Sequence, residues 1–580
     1  MKTRLVRLGG RGLAAAGAHL RYVQRDGVSR DGERSLLYSA GQDDADGKAF
    51  LERGAGDRHQ FRLIVSAEDG AQYDDLRPLV RRFMARMEAD LGTALDWVAA
   101  DHRDTAHPHS HIILRGTDEA GGNLVIAPSY IKRGMRERLA ELVTLDLGPR
   151  TALDIERGLR RDIGAERFTG IDRGLLRDAG GRRIVAAGRR DPLQQALRAG
   201  RLRKLEALGL AERLVAGRWR LAEDLEARLR RLGERGDIVR TMQRALSARR
   251  IERGLAELVP DASALTGTLV GRVAGRGLSD ELRDRHYLII DGLDGRVHYI
   301  DIGRGSLTEP VPDGAIVRVE PAPVEARPAD RLVAEVARAN GGVYSVERHL
   351  LHDRRASPAF AQAHVRRLEA IRRGTGGAQR LEDGSWIIAP DHVERARAHE
   401  ARRARDRPVR VELLSPLPLE RLVAAEAATW LDRELVSGAP EPLREAGFGG
   451  AVKGALALRR QWLVDRELAH EVQGRLIANA RLMSVLRRRD LSGAAAQLSA
   501  ELGLGWRDLG EHGTARGTLL RRMDLASGRF ALLADAREFS LVPWRPEMER
   551  RMGRELVVRV RGGGLGWTLG RERAGPEVGW

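Results

Sequence analysis

Residues 101–116 read DHRDTAHPHSHIILRG, and four of the chain's fifteen histidines fall inside them: His102, His107, His109 and His111. Side chains at i and i+2 of a strand share a face. His109 and His111 therefore project together from a strand that continues into Ile112, Ile113 and Leu114. His102 follows the preceding strand and can supply a third nitrogen. Three imidazoles hold a divalent cation and leave positions open for a substrate oxygen. Asp104 is placed to orient one imidazole through its second ring nitrogen.

Outward from this stretch the pattern alternates. Residues 3–8, 60–66, 95–101 and 109–115 read as strands, and residues 13–25, 74–91 and 128–145 as helices. Residues 26–57, rich in Gly and Asp, read as a loop. The expected fold class is α+β: an antiparallel sheet over residues 1–150 with helices on one side. Residues 151–190 read as a basic linker. An internal repeat follows, with residues 204–228 matched by residues 367–396 around R-L-x-x-G-x-W, so that Trp219 and Trp386 stand two residues after Gly217 and Gly384. In the second copy, segments 330–340 and 346–352 supply two further helices. Two winged-helix-like modules are expected, at 191–250 and 328–400, with a small β-barrel at 262–322 between them. A helical region at 410–510 and a β-rich module at 511–580 complete the chain.

Composition narrows the partners. With 580 residues the chain is too long for one ordinary core, and 42% hydrophobic content excludes a disordered chain. No apolar run is long enough for a membrane span, and Gly, Arg and His interrupt the N-terminal Ala-rich stretch, which argues against a signal peptide. A cytoplasmic chain is the simplest reading. Cysteine is absent, so any metal is held by His, Asp or Glu. The net charge is +18, and nearly all of the cations are Arg, whose planar fork grips phosphate. Residues 151–250 alone hold 25 Lys+Arg against 14 Asp+Glu, a net of +11. Aromatic content is 4%, too low for base-stacking platforms, so nucleic-acid binding leans on Arg–phosphate contacts and is salt-sensitive.

The arrangement H-x-D-x-x-H-P-H-x-H resembles the metal motif of VirD2-like conjugative relaxases of the mobilisation class, within the HUH endonucleases. His107 stands where Asn often occurs in that motif. The resemblance covers roughly residues 1–148, and the rest resembles the DUF3363 region attached to some of these enzymes, including the LASGRF and LVPWRP stretches. Met1 stands almost on the first strand, so an upstream extension found in relatives is expected to be missing.

The resemblance implies a set of roles. His109 and His111 are the HUH pair and His102 the third ligand, with His107 an alternative. The cation is Mg²⁺ or Mn²⁺ by family usage, while three imidazoles also suit Zn²⁺. A tyrosine near the N-terminus attacks a phosphodiester of single-stranded DNA at the nic site and forms a 5′-phosphotyrosyl link. Tyr22 is preferred because Arg21 and Arg25 flank it and can bind phosphate; Tyr38 is its main rival. Asp104 is a candidate proton acceptor. Ser66, Arg115 and Lys132 are candidate DNA contacts. Implied partners are transfer-origin accessory proteins and a type IV secretion coupling protein, with passage into a recipient cell alongside bound DNA. The competing readings are a rolling-circle replication initiator of the HUH class and a non-catalytic DNA-binding accessory protein.

Overall fold

The computed structural model describes residues 1–8, 16–17, 19–20, 23–24, 36–67, 69–102, 108–261, 265–280, 283–309, 311–473, 475–510, 512–561 and 564–569. The chain forms two compact units, Met1–Ile238 with Asp280–Asp284, and Val239–Ser279 with Arg285–Trp580. It is a mixed α and β protein, and among the described residues no helix is long and apolar enough to cross a membrane.

The first unit opens with β1 (Lys2–Arg7), α1 (Gly47–Arg53), β2 (His59–Val65), α2 (Arg77–Leu91), β3 (Trp97–His102), β4 (His109–Arg115) and α3 (Met135–Leu147). The strands lie in the order β1-β2-β4-β3, every neighbour antiparallel. The alternation read from the sequence thus gives the four strands within a residue or two. Leu79, Phe83 and Met87 recur at helical spacing on α2 and bury against Phe61, Leu63, Trp97, Ile112 and Leu114, with Met135 and Leu139 of α3 in the same core. The helix ends at Gly92, which takes the left-handed backbone (φ 67°) that a Cβ disfavours.

The opposite face of the sheet is covered as well, which corrects the expectation of helices on one side. Val98, Ala100 and Ile113 pack under Leu20, Val23, Leu37 and Phe50. Phe50 belongs to α1, a helix inside the stretch read as loop. Asp46 starts it by accepting the N–H groups of Lys48 and Ala49.

Residues 151–190, read as a linker, are folded: α4 (Ala152–Gly164), α5 (Gly170–Ala179) and β5 (Ile184–Ala186) are followed by α6 (Pro192–Ala207), β6 (Ala211–Arg213) and β7 (Arg218–Leu221). The strands form a sheet of order β5-β7-β6. Ile171, Leu175 and Ala179, four residues apart, bury with Leu202, Leu205 and Trp219. A polar clasp holds this module. Thr169 caps α5, and Asp172 returns its carboxylate to the Thr169 N–H and hydroxyl. Arg201 reaches the same carboxylate through Nε and Nη2, each at 2.8 Å, and donates to the carbonyls of Asp162, Ile163 and Arg167.

The clasp occurs three times. In the second copy Arg327, Asp330 and Arg367 repeat it, with Asp330 accepting from Nε and Nη2 of Arg367 at 2.9 Å. In the third, Thr429 caps a helix, Asp432 closes the box, and Arg459 meets Asp432 at 2.8 and 2.9 Å while donating to the carbonyls of Val423, Ala425 and Ala427. The sequences agree once the clasp is known: TGIDRGL at 169–175, RPADRLV at 327–333 and TWLDREL at 429–435. Asp172 and Arg201 are fully buried. Removing one partner of such a pair leaves an uncompensated charge in the core. Arg201→Ala is therefore expected to destabilise the first module by roughly 3–5 kcal/mol, read as faster hydrogen exchange over residues 152–221. Unchanged protection there refutes the role given to the clasp.

The second copy carries helices at Pro328–Ala339 and Val346–His352, as the sequence predicts, a third at Pro358–Thr375, and a three-stranded sheet of Val343–Tyr344, Trp386–Ile388 and Ala378–Arg380 in that order. His349 and His392 are buried in it, and desolvation holds both imidazoles below their ordinary pKa. The unfolded chain takes up these protons near pH ~6.5 while the folded module resists them, so stability present above that pH is lost as pH falls through it. Hydrogen exchange over residues 328–406 is expected to accelerate between about pH 7 and pH 5, after correction for the intrinsic rate, relative to the C-terminal sheet. Equal relative protection at both pH values contradicts it.

The barrel expected at 262–322 is an open sheet. Its order is Val409–Ser415, Ile316–Pro321, Leu269–Asp280, Arg285–Gly292, Val297–Arg304, Leu258–Val259. The outer edge of Val297–Arg304 is taken in parallel by Leu258–Val259, and Val409–Ser415 takes the edge of Ile316–Pro321. Those pairings fill the edges that closure would join. The C-terminal sheet likewise has six strands, between Gly505 and Leu569. Helix Leu482–Leu502 packs Ala495 and Leu498 onto Phe530, Leu532 and Leu541 of that sheet.

Candidate metal centre

Register decides which side chains meet. His102 pairs with His109 across β3 and β4, and Ala100 pairs with His111. All three histidines therefore sit on the face that carries Val98, Ala100 and Ile113, as the i, i+2 argument requires. They are 0%, 6% and 2% exposed. Their ring centroids are 4.3 to 5.4 Å apart, and one nitrogen from each ring lies within 4.8 Å of the other two.

This donor set fits a divalent cation. Imidazole binds a first-row ion at about 2.0–2.1 Å, so nitrogens that share one ion lie roughly 3–4 Å apart, close to the spacing present. Three uncharged ligands leave the charge of the ion for a substrate anion. His102 is also oriented from outside: its Nε2 lies 2.8 Å from the carbonyl oxygen of Val23. A carbonyl only accepts, so Nε2 carries the proton and Nδ1 is the nitrogen with the lone pair. Val23 is fully buried and packs with Leu20 on Ala100 and Ile113. The N-terminal helical residues are thus fastened over the imidazole face, a contact with no sequence signal because it uses a main-chain oxygen.

Tyr22, Arg21, Arg25, Asp104 and His107 lie outside the described residues. The other three tyrosines of the first 150 residues are described, and each phenol donates to a carboxylate. Tyr38 is 1% exposed, and its hydroxyl meets Asp101 Oδ1 at 2.8 Å on the face opposite the histidines, where the Ser110 hydroxyl also donates to Asp101. Burial first, and then the Asp101 charge, push its pKa well above the ordinary phenol value. Tyr73 donates to Asp146 at 2.9 Å, and burial with that partner pushes it up to about 12. Tyr130 donates to Asp90 at 2.8 Å and is raised in the same way. A phenol that is sealed or raised in this manner is a poor nucleophile at neutral pH, so the rival Tyr38 loses its standing.

The candidate DNA contacts divide. The Ser66 hydroxyl donates to the carbonyl of Pro108 at 3.3 Å, tying the end of β2 to the residue before His109. Arg115 is already matched: its guanidinium bonds Asp57 at 2.8 and 3.0 Å and Asp96 at 3.1 Å, at the end of β4 remote from the histidines. Lys132 is exposed in the single π-helical turn before α3.

Two family models match the chain. The relaxase family described as MobA/VirD2-like, nuclease domain, matches residues 47–144, which include the three histidines. The family described as a protein of unknown function, DUF3363, matches residues 198–576. No curated protein matches.

Proposed function

The chain belongs to the DUF3363 family and carries a MobA/VirD2-like relaxase nuclease domain ahead of that region, and from that premise we propose that it nicks one strand of DNA at a transfer origin and can reseal it. The observation that carries this reading is the buried triad of His102, His109 and His111, with the carbonyl of Val23, the residue after Tyr22, on His102.

In this reading Tyr22 is the nucleophile. Its phenolate oxygen attacks the scissile phosphorus, a tyrosyl O–P bond forms, and the bond from phosphorus to the 3′ oxygen breaks. The proton leaves the phenol for a nearby base, with Asp104 the candidate, and the departing 3′ oxygen takes one up. Phosphoester energy is retained, so the 3′-OH can attack the phosphotyrosine and restore the strand. A divalent cation held by the three imidazoles supplies charge withdrawal from the phosphate. Arg21 and Arg25 hold the phosphates that flank the reacting one, and Lys132 is an exposed cation available to the same strand. Ser66 acts by holding Pro108, and through it the start of β4.

The protein mobilises a plasmid or integrative element, works in the cytoplasm with transfer-origin accessory proteins and a type IV coupling protein, and keeps Mg²⁺ or Mn²⁺ as its ion, with Zn²⁺ also compatible. The repeated modules of the DUF3363 region are winged-helix-like. The test is incubation with a fluorescent single-stranded oligonucleotide from the element's own origin, followed by a denaturing gel. A protein-linked band that requires divalent metal supports the reading; an uncut oligonucleotide under Mg²⁺ and under Mn²⁺ refutes it.

A further inference from the structure

In the second copy of the clasped module, helices Val346–His352 and Pro358–Thr375 are joined by a short turn, residues 353–357. The longer helix turns Ala361, His364, Leu368 and Ile371 inward, and Leu368 packs with Val333, Tyr344 and Trp386. Its outward residues Ala359, Gln362, Ala363, Arg366 and Ala370 are all exposed and recur every three to four positions. Residues 354–368, RRASPAFAQAHVRRL, contain four Arg and no Asp or Glu. Arg367 is turned inward to Asp330. Arg354, Arg355 and Arg366 are exposed and make no ion pair among the described residues.

We propose that this helix-turn-helix binds duplex DNA, with the Pro358–Thr375 helix in the major groove, Gln362 and Arg366 on base edges, and Arg354 and Arg355 on the phosphate backbone. The proposal rests on the reading above that the chain works on DNA, and on none of the nuclease chemistry. Four features favour a duplex. A major groove about 12 Å wide admits an α-helix with its side chains. Alanines at 359, 363 and 370 keep the outer face low, so the helix backbone can approach the groove floor, where a methyl group also suits thymine. Between them stand a Gln and an Arg, the two side-chain types that make paired hydrogen bonds to adenine and to guanine. Arg354, Arg355 and Arg366 supply the charge for phosphate; Asp353 and Glu369 flank the stretch, and Glu369 is engaged by Arg372 and Arg373. The hairpin of this module is different: Glu382 and Asp383 are exposed at its tip, so it stays off the backbone and binding leans on the helix.

The test uses the full chain and a fluorescein-labelled duplex pool with a randomised core, read by anisotropy and by sequencing of the bound fraction. The wild type is expected to enrich a sequence. Arg366→Ala and Gln362→Ala should each lower affinity for that enriched duplex by about 10–100-fold and relax the enrichment at one position. Arg354→Ala with Arg355→Ala should weaken all duplexes alike and reduce the salt slope by about 2. All four residues are exposed, and Arg366→Lys, which keeps the charge but loses the fork, should lose enrichment while retaining most non-specific affinity. Affinity and enrichment unchanged across these variants overturn the proposal, including in favour of an acidic protein partner. Nicking of a single-stranded oligonucleotide is followed in parallel. If the wild type fails to nick while the variants lose duplex binding, the nuclease reading falls and this one stands.

Discussion

Tyr22→Phe is expected to abolish the covalent protein–DNA band and to lower nicking by roughly 10⁴-fold or more, the scale on which loss of a nucleophile acts. Metal binding should be unchanged, because no imidazole is altered. The strength of this prediction comes from the other phenols. Tyr38 donates into Asp101 inside the core, Tyr73 into Asp146 and Tyr130 into Asp90, and each carries a raised pKa. Tyr38→Phe should keep near wild-type nicking and lose only the stability of one buried hydrogen bond, about 1 kcal/mol with some added cost for the less satisfied Asp101. The two variants form a contrast that a general loss of folding cannot mimic. A Tyr22→Phe protein that still forms the adduct removes the nucleophile from this account.

The second large effect belongs to the histidines. His111→Ala should remove one of three nitrogens from a buried set whose members lie within 4.8 Å, and nicking should fall by about 10²–10⁴-fold, the worth of several kcal/mol of charge stabilisation at about 1.4 kcal/mol per decade. A chelator should do the same to the wild type, and Mg²⁺ or Mn²⁺ should restore it. A readout independent of turnover is stability: an ion at about a hundred times its Kd stabilises the folded state by about 2.7 kcal/mol. That increment should appear for the wild type in Mn²⁺ and vanish in His111→Ala. Equal metal stabilisation of both proteins refutes ligation by this residue.

Much of the nuclease sheet was legible in the sequence because its signal is local. Period-two alternation marks the strands, and H-x-H on a strand leaves one geometric outcome, which the pairing of His102 with His109 completes. What escaped was long-range or used the main chain. The helix that carries Phe50 into the second layer lies inside residues 26–57, whose Gly and Asp content reads as loop. The folded state of residues 151–190 depends on a bond between Asp172 and Arg201, 29 positions apart. Charge composition registers both residues as solvated and hides that they are paired. The third module escaped because its hairpin, AHEVQGRLIA at 469–478, places Leu476 where the other two place Trp219 and Trp386. The tryptophan marks the first two copies, and T-x-x-D-R marks the first and the third.

One interior is repeated at Asp172–Arg201, Asp330–Arg367 and Asp432–Arg459. A copy that brings its own keystone does not borrow stability from its siblings. Its outside is then open to rewriting by mutation, one copy gathering arginines while another sheds them, without endangering the interior.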